Sequence, residues 1–413
     1  MVRLSECCHV VAGYPFDADK FSPTKGHPLV RIRDLQGGPI QTYFDGQWEQ
    51  KAAIFDGDLL VGMDGDFAAK MWQGGPALLN QRLARLRSKS GFDLRFIALA
   101  LQPAIDEIND ETNATTVKHL SMGQIRKAVI PRPPLDEQNR IFAWLDLQTS
   151  RIDKRRELLA KKRELLRDLR SNLVGETLAF GLHGQETAST GLVDLPALPM
   201  GWQASHTKRL LRFITSGSRG WAEYYAEQGD IFLRIGNLTR ETIDLDVSDL
   251  KYVALPAKAA EGKRTRLRPG DMLVSITADL GSIAVVPVLD KPAYVSQHIA
   301  LCRPKEGVHP RWLGYAMVSP QAKRQLMSSG YGGTKIQLSL DDVRNAWLAV
   351  PPLVEQIEIA DFLDQRLNKI ARQITLIDQL DDLLQQQRKA IIYEAVTGKI
   401  DLSLAPLDSA NAD

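Results

Sequence analysis

The chain has 413 residues, of which 44% are hydrophobic and 25% are charged, as in an ordinary globular protein. This length exceeds what one typical core accommodates, so it predicts two or three domains. The formal net charge is only +2, which excludes a strong attraction of the whole chain to polyanions. A basic face balanced by acidic surface elsewhere remains open.

Cysteine usage and hydropathy indicate the compartment. Cys7 and Cys8 are adjacent and Cys302 is distant, so the three cysteines form no disulfide framework and suit a reducing compartment. The sequence opens with no secretory signal and contains no apolar run of about 18 residues that would cross a bilayer. We therefore expect a cytoplasmic protein without a membrane segment.

The first globular region, residues 1–134, is predicted to be mixed α/β with a bias towards strands. Short apolar runs at 29–32 and 59–61 are bounded by turn residues, as strands are. Gly57-Asp58 is typical of a turn that leads into a strand. Residues 96–101 are predicted to form a short helix.

A long helix is predicted over residues 135–183. Two prolines precede it, and no proline or glycine follows until Gly175. One apolar seam recurs every seven residues, as in a coiled coil. Its members are Leu145, Ile152, Leu159, Leu166 and Leu173.

Residues 184–201 are rich in Gly, Ser, Thr and Pro and are predicted to be a linker. The second globular region, 202–352, again favours short strands at 231–235, 272–276 and 283–288, with a helix at 312–317. Gly270-Asp271 predicts a second turn before a strand.

A second long helix is predicted over residues 353–400, before a tail at 401–413. It also carries one seam with a spacing of seven, formed by Leu363, Ile370, Ile377, Leu384 and Ile391. Companion apolar positions, Leu158 and Leu165 in the first helix and Leu367 and Ile374 in the second, support each seam. A helix of about 40 residues is about 60 Å long.

The two halves of the chain repeat each other. Residues 133–138 read Pro-Pro-Leu-Asp-Glu-Gln, and residues 351–356, which lie 218 positions later, read Pro-Pro-Leu-Val-Glu-Gln. Thr116, Leu120, Ser121 and Arg126 recur at the same interval as Thr334, Leu338, Ser339 and Arg344. Earlier landmarks recur at slightly shorter intervals: Gly57-Asp58 as Gly270-Asp271, Asn80-Gln81 as Ser296-Gln297, and Arg31-Ile32 as Arg234-Ile235. Ordered matches over such an interval indicate two domain-sized copies.

The equal lengths and matching seams of the helices predict that they pack on each other within the chain, antiparallel. Two other interpretations stay open: the helices dimerise with other chains, or each covers a core. The predicted fold class is α+β, with two similar mixed α/β domains joined by an intramolecular antiparallel coiled coil in a pseudo-two-fold arrangement.

These features together resemble one family, the specificity subunits of type I restriction–modification systems. The resemblance rests on two diverged domains, each ending in Pro-Pro-Leu-x-Glu-Gln and a long helix. The Gly-Asp strand entry and the Thr-x-x-x-Leu-Ser segment also match, and the likeness covers almost the whole chain. One departure is that Trp202 and the residues before it have no counterpart near Met1.

The resemblance implies a division of labour. Residues 1–134 and 202–352 would be target recognition domains, each reading one half of a bipartite, asymmetric DNA sequence. The helices would fix the gap between the half-sites and dock two methyltransferase subunits, and restriction subunits would join that complex. The chain would be non-catalytic, with S-adenosylmethionine, ATP and Mg²⁺ bound only by partner subunits.

Basic and amide side chains on turns are the residue types that reach base edges and phosphates. The candidates for DNA contact are Arg31, Arg33, Lys70, Lys118, His119, Ser218, Arg219, Arg234, Asn237, Lys335 and Gln337. For each of them the alternative is a surface ion pair or a solvated loop. Arg31 and Arg234 hold equivalent places, which also fits a shared structural ion pair.

Catalytic and metal motifs are not found. The glycine-rich segment 330–335 lacks the spacing of a phosphate-binding loop, and no His-Glu-x-x-His or Cys-x-x-Cys occurs. Asp64 and Asp66 are weak evidence for a metal or nuclease site, because the second copy has Thr277 and Asp279 in the comparable region. Two further hypotheses remain: a coiled-coil scaffold with no DNA role, and a nuclease with an unrecognised site.

Overall fold

The computed structural model describes residues 1–65, 67–111, 119–256, 264–329 and 337–402, and these form two compact units. Unit 1 comprises residues 1–160 and the chain from 378 onward, and unit 2 comprises residues 161–377. Each unit therefore holds one globular region and part of each long helix. The units do not follow the order of the chain.

The globular region of unit 1 contains three helices and eleven short strands. The helices are α1 (Leu4–Cys7), α2 (Leu94–Glu111) and α3 (Met122–Lys127). The strands are β1 (Val2–Arg3), β2 (Cys8–Ala12), β3 (Phe21–Ser22), β4 (His27–Val30), β5 (Tyr43–Phe44), β6 (Ala53–Ile54), β7 (Leu59–Gly62), β8 (Ala69–Met71), β9 (Ala77–Leu79), β10 (Leu83–Ser88) and β11 (Val129–Ile130). The long helix α4 (Leu135–Phe180) follows and continues into unit 2.

Unit 2 has a matching set of elements. Its strands are β12 (Thr187–Ser189), β13 (Ala197–Pro199), β14 (Gln203–His206), β15 (Leu211–Ser216), β16 (Tyr225–Ala226), β17 (Asp230–Leu233), β18 (Lys251–Val253), β19 (Met272–Ser275), β20 (Ile283–Val285), β21 (Ala293–Val295), β22 (Ile299–Pro304) and β23 (Trp347–Val350). Its helices are α5 (Thr207–Leu210), α6 (Pro310–Val318), α7 (Pro320–Ser329), α8 (Leu340–Asn345) and the start of α9 (Leu353–Val396).

The first sheets of the two units have the same strand order, and the second sheets differ by the edge strand β6 of unit 1, which has no counterpart among the described strands of unit 2. Unit 1 has an antiparallel sheet of order β2-β10-β7-β8, and unit 2 has β15-β22-β19-β20. A second sheet runs β3-β5-β4-β9-β6 in unit 1 and β16-β18-β17-β21 in unit 2. Each second sheet contains one parallel pair, β4 with β9 and β17 with β21. The duplication predicted from the sequence is thus present in the fold.

The Gly-Asp turns are built alike in both units. Gly57 and Gly270 have φ values of 88° and 85°, which glycine adopts without steric cost. The carboxylate that follows is buried, and an arginine from the neighbouring strand grips it with two nitrogens. Arg303 lies 2.7 Å from both carboxylate oxygens of Asp271, which is 1% exposed. Arg87 grips Asp58 in the same way. A buried carboxylate needs such a partner, which explains why the dipeptide recurs.

The two Pro-Pro-Leu-x-Glu-Gln motifs fasten the long helices to the globular regions. Gln138 is buried, accepts the backbone N–H of Asp93 at 2.9 Å and donates to the carbonyl of Pro133. Gln356 makes the same two bonds, to the N–H of His309 at 2.8 Å and to the carbonyl of Pro351. The glutamine therefore satisfies backbone groups on both sides of each helix start.

The long helices run antiparallel within each unit. In unit 1, Arg156 pairs with Asp381 at 2.7 Å and Asp153 pairs with Arg388 at 3.1 Å, so residue numbers rise in one helix as they fall in the other. The start of α4 and the end of α9 share the core of the globular region. The long helices contribute Ile141, Leu145, Ile392, Ala395 and Val396 to this core. In unit 2, Arg170 and Val174 of α4 line one small cavity with Leu367 and Asn368 of α9.

Every member of the two seams is buried or half-buried. Seven are buried: Leu145, Ile152, Leu166, Leu363, Ile370, Ile377 and Leu384. Leu159, Leu173 and Ile391 are half-buried. The companion positions differ in exposure between the two helices. Leu367 is buried and Ile374 is half-buried, whereas Leu158 and Leu165 are 57% and 67% exposed. The prediction that Leu158 and Leu165 support the seam was wrong.

Other sequence predictions differ in detail. The predicted linker contains an antiparallel hairpin, β12 with β13. Residue 32 begins a 3-10 turn after β4, and the short helix predicted at 96–101 is part of the longer α2. Among the described residues, no helix has the length and apolar character needed to cross a bilayer.

Candidate nucleic-acid interface

Both units carry an exposed loop that follows the central strand of the first sheet. In unit 1 it leads from β7 to β8, and in unit 2 from β19 to β20. Each loop is tied to the segment just before α3 or α8. Leu120 donates its N–H to the carbonyl of Met63 at 2.7 Å, and Leu338 donates to the carbonyl of Ile276 at 3.0 Å. The next residues form isolated bridges, Asp64 with His119 in unit 1 and Thr277 with Gln337 in unit 2. We call these places the loop junctions.

The Leu-Ser pair of the repeated sequence segment builds each junction. Leu120 and Leu338 are buried, while the serines cap the helices that follow. The Oγ of Ser121 accepts the N–H of Gln124, and that of Ser339 accepts the N–H of Asp342. A capping box fixes how the chain enters a helix. The junction backbone is thus held alike in both units.

Backbone strain marks the same loop in both units. Phe67 has φ of 49° and Ala278 has φ of 57°, and among the described residues no other non-glycine residue has a positive φ. Such conformations cost free energy and concentrate at functional sites. Phe67 is buried and anchors its loop, whereas Ala278 lines a surface cavity.

In unit 1 the junction carries a cluster of charged side chains. The Oδ1 of Asp64 lies 2.6 Å from the Nδ1 of His119, and its Oδ2 lies 3.4 Å from an Nη of Arg82. The side chains of Arg82 and His119 are 56% and 46% exposed, so both can reach a ligand in solvent. The carboxylate orients both of them. This cluster can donate hydrogen bonds from Arg82 and accept them at Asp64.

In unit 2 the junction positions Thr277, His298 and Gln337 carry neither a carboxylate nor a guanidinium. The Nδ1 of His298 lies 2.9 Å from the Oγ1 of Thr277, and its Nε2 lies 3.1 Å from the Nε2 of Gln297. The amide of Gln297 donates to the His298 ring, so the ring nitrogen facing Thr277 carries the proton when the ring is neutral. Gln337 is exposed beside them, and its amide offers both a donor and an acceptor.

The structure places the predicted contacts of unit 1 in different settings. His119 lies in the junction. Arg31 lies beside Phe21, with its guanidinium carbon 5.9 Å from the ring centroid, and Arg33 donates to the hydroxyl of Thr42 at 2.6 Å. Lys70 is exposed on β8. Lys118 lies outside the described residues.

In unit 2, two predicted contacts are buried and hold the fold. Ser218 is 1% exposed and hydrogen-bonded to Thr265 at 3.0 Å. Asn237 is 3% exposed and donates to the carbonyls of Asp246 and Asp249. Their polar atoms do not face solvent, so we leave both out of the proposed contacts. The prediction failed because loop Ser and Asn side chains also satisfy backbone groups.

The other predicted contacts of unit 2 remain at the surface. Arg219 is exposed, and Gln337 lies in the junction. Arg234 pairs with Asp249 at 2.9 Å. The backbone N–H of Arg234 donates to the Oδ1 of Asn237, and the backbone N–H of Arg31 donates to the Oδ2 of Asp34. The shared position of Arg31 and Arg234 therefore reflects a shared backbone cap. Lys335 lies outside the described residues.

A cation-lined cavity of about 780 Å³ opens beside the junction of unit 2. Its walls are the end of α4, helix α7 and the β19–β20 loop. Five cationic side chains line it: Arg167, Arg170, Arg240, Lys323 and Arg324. Asp279 is the single carboxylate of the lining, and its hydrogen bond from Arg240 holds its pKa below the usual value. Arg170 pairs with Glu241 at 3.1 Å, and burial lowers its pKa. The excess of positive charge suits an anionic ligand.

Sequence reasoning missed several residues of this surface. Arg82 and His298 were not predicted, although they directly follow the matched pairs Asn80-Gln81 and Ser296-Gln297. That adjacency was the available signal. The cavity cations had none, because they come from three separate segments. Among the described residues, no group of three His, Cys, Asp or Glu side chains is placed to hold a metal ion.

Comparison with known proteins identifies the family. The sequence profile of the type I restriction modification DNA specificity domain matches residues 1–164 and 255–381, which is more than half of the chain. The chain is 28% identical over 385 residues to the type I restriction enzyme EcoBI specificity subunit of Escherichia coli, covering 88% of this chain and 78% of that protein. It is 23% identical over 383 residues to the MjaVIII specificity subunit of Methanocaldococcus jannaschii, covering 91% and 86%.

A solved structure shares the fold. It comes from work on complex assembly and conformational transition of the type I restriction–modification system, with a TM-score of 0.71, 19% identity and 97% coverage of both chains. The profile match, the duplicated fold and the paired long helices agree. The chain belongs to the family of type I restriction–modification DNA specificity subunits.

Proposed function

We propose that this chain reads a bipartite, asymmetric DNA target for a type I restriction–modification complex and catalyses no reaction itself. The observation that carries this proposal is the duplicated fold with different side chains at equivalent loop junctions. One scaffold used twice with two different reading surfaces suits two unlike half-sites. A coiled-coil scaffold without a DNA role would leave the paired junctions unexplained, and membership of the family argues against it.

Exposed and half-buried cations and amides of both units are the proposed DNA contacts. They comprise Arg31, Arg33, Lys70 and His119 in unit 1, Arg219, Arg234 and Gln337 in unit 2, and Lys118 and Lys335 by their place in the sequence. Most contacts to phosphates position a protein without reading sequence. The cavity cations Arg167, Lys323 and Arg324 add positive charge where unit 2 would meet the DNA backbone.

The long helices are the proposed spacer between the two half-sites. Helix α4 has 46 residues and α9 has 44, which corresponds to roughly 65–70 Å at 1.5 Å per residue. Helices of fixed length would hold the gap between the half-sites constant.

Exposed leucines on the helices support docking of methyltransferase subunits. In unit 1, Leu158, Leu380 and Leu383 are 57%, 46% and 60% exposed. In unit 2, Leu165, Leu169 and Leu376 are 67%, 52% and 63% exposed. Several exposed apolar side chains on the two long helices are the kind of surface that marks protein contacts. Restriction subunits would join that complex, and S-adenosylmethionine, ATP and Mg²⁺ would bind to the partners. The three free, buried cysteines suit the cytoplasm.

The test is to co-express the chain with a type I methyltransferase subunit and to map methylated bases genome-wide by single-molecule sequencing. We expect one asymmetric two-part motif with a fixed gap. A stable complex that methylates no such motif would contradict the proposal.

Docking is tested separately with Leu158→Gln, Leu380→Gln and Leu383→Gln together. These side chains are exposed, so the folded chain should melt normally but lose its methyltransferase subunit in co-purification. Val247→Gln, at an exposed residue away from the helices, is the control. Unchanged co-purification of the triple variant would remove the leucines from the docking surface.

A further inference from the structure

The two loop junctions put three side chains at equivalent places in the two units. The first lies in the loop after β7 or β19: Asp64 or Thr277. The second immediately precedes β10 or β22: Arg82 or His298. The third forms the isolated bridge to the first: His119 or Gln337. Hydrogen bonds or ion pairs join members of each set, at 2.6 and 3.4 Å in unit 1 and at 2.9 Å in unit 2.

The frame under these positions is repeated, whereas the three side chains are not. Gln81 and Gln297 precede the second position, and buried Leu83 and Ile299 follow it. Gly13 and Gly217 let the backbone pass so close that an added Cβ would meet the carbonyl oxygens of Asn80 and Ser296 at 2.0 and 2.2 Å. Asp, Arg and His thus stand on the frame that carries Thr, His and Gln in the other unit.

Their chemistry matches the edges of base pairs. In the major groove, arginine pairs best with guanine, aspartate accepts from cytosine, and glutamine pairs with adenine through two bonds. Arg82 and Asp64 offer a donor and an acceptor side by side, which complements a G·C pair. Gln337, beside Thr277 and His298, complements an A·T pair. Four of these side chains are exposed, and Asp64 and Thr277 are half-buried. If they only held the fold, they would not need to change type while their frame stays the same.

We propose that Asp64, Arg82 and His119 read bases of one half-site, and that Thr277, His298 and Gln337 read bases of the other. The contacted step contains a G·C pair in the first half-site and an A·T pair in the second. This inference rests on the proposed function, because it assumes that each unit reads one half-site. It adds which side chains set the sequence that is read.

The experiment moves the residues of unit 2 onto the frame of unit 1. The variant Asp64→Thr, Arg82→His, His119→Gln is co-expressed with the methyltransferase subunit, and its methylated motif is mapped beside that of the unchanged chain. We expect a different first half-site, with the gap and the second half-site unchanged. The reciprocal variant Thr277→Asp, His298→Arg, Gln337→His should change only the second half-site.

The matched control is the exposed ion pair Glu49–Lys51, which lies outside the junction. The Nζ of Lys51 is 2.6 Å from the Oε2 of Glu49. Glu49→Thr with Lys51→His makes the same kind of change in unit 1 and should leave the motif intact. If the triple variant does not fold, Arg82→Gln decides. It should relax discrimination at one base pair by roughly tenfold to a hundredfold.

The outcomes separate this inference from the function on which it rests. A triple variant that still assembles with the methyltransferase subunit but loses its original motif supports the inference, whether or not a new motif appears. An unchanged motif in the triple variant, or in folded Arg82→Gln, overturns it while leaving the proposed function standing. No motif from the unchanged chain would overturn both.

Discussion

Units 1 and 2 share the residues that hold a frame and differ in those that face outward from it. The Asp–Arg grip, the buried glutamine and the serine cap occur in both units with nearly the same distances. The junction of unit 1 carries Asp64 and Arg82, whereas the equivalent positions of unit 2 carry Thr277 and His298. Repetition therefore marks structural positions in this chain, and divergence within repeated surroundings marks the candidate reading positions. The predictions below test that distinction.

The Asp–Arg grip should give the largest effect. Asp271→Asn leaves Arg303, whose side chain is 17% exposed, without its ionic partner and should lower the free energy of unfolding by about 3–5 kcal/mol. Asp58→Asn should cost less, because the side chain of Arg87 is 44% exposed and water can solvate it. Denaturant unfolding with hydrogen exchange by mass spectrometry would assign each loss to its unit. Equal losses would show that exposure of the arginine does not matter.

Substitutions in the helix seam should lower the free energy of unfolding by nearly as much, and by equal amounts in the two units. Ile152 in unit 1 and Ile370 in unit 2 are 4% and 7% exposed at matching seam positions. Each Ile→Ala change should lower the free energy of unfolding by about 2–4 kcal/mol, because it leaves a cavity. Leu158→Ala is the control and should stay within about 0.5 kcal/mol, because that side chain is exposed. A costly Leu158→Ala would mean that the helices pack differently.

Substitution of the buried glutamines should give the next largest loss of stability. Gln138→Leu and Gln356→Leu each strand a buried backbone N–H and carbonyl, at a cost of about 1–3 kcal/mol. The two bonds are the same in both units, so the two losses should agree, as measured by thermal unfolding. A loss confined to Gln138→Leu would indicate that a further contact fastens the helix start in unit 2. That contact would be the one from Trp202, whose indole N–H donates to Glu355 and which has no counterpart in unit 1.

The smallest expected effect is a difference in acid sensitivity. Asp93 and His309 hold equivalent places, since each gives its N–H to the buried glutamine. Burial lowers the pKa of His309, so its contribution to stability is present above pH 6.5, the ordinary value, and is lost as pH falls through the folded pKa. Burial alone would raise the pKa of Asp93, but the hydrogen bonds from Arg95 lower it, so that contribution persists to below about pH 4.

Unit 2 should therefore weaken before unit 1 on mild acidification, by less than about 1 kcal/mol because His309 is half exposed. Hydrogen exchange at pH 7 and pH 5.5 measures this order. His309→Asn keeps a side chain that caps α6 and should remove the difference. The interpretation fails if unit 1 weakens first.

Local sequence patterns predicted the frame but only part of the candidate interface. The spacing of seven located all ten seam residues, and Gly-Asp located both turns, because these signals depend on a few neighbouring residues. Leu158 and Leu165 were misassigned because an apolar residue on a helix can face a partner chain as well as a seam. Ser218 and Asn237 were chosen by residue type, which does not distinguish an exposed amide from one that bonds to buried carbonyls.

The remaining residues of the interface depend on tertiary structure. The β7–β8 loop brings Asp64 to His119, 55 positions later in the chain, and one sequence offers no measure of that proximity. The cavity cations likewise come from three segments of unit 2. Arg82 and His298 could have been predicted from the sequence, because each directly follows a pair of residues that matches between the two copies.

The division of the two helices between the units has a consequence for synthesis. The core of unit 1 includes Ile392, Ala395, Val396 and Leu402 beside residues from the first turn of the chain, such as Val2 and Leu4. A ribosome releases the N-terminal region long before it makes these residues, so unit 1 cannot close its core while unit 2 is being translated. Folding of unit 1 must therefore wait until residues 392–402 have been made. Loss of the final two dozen residues would therefore damage the part of the protein that was made first.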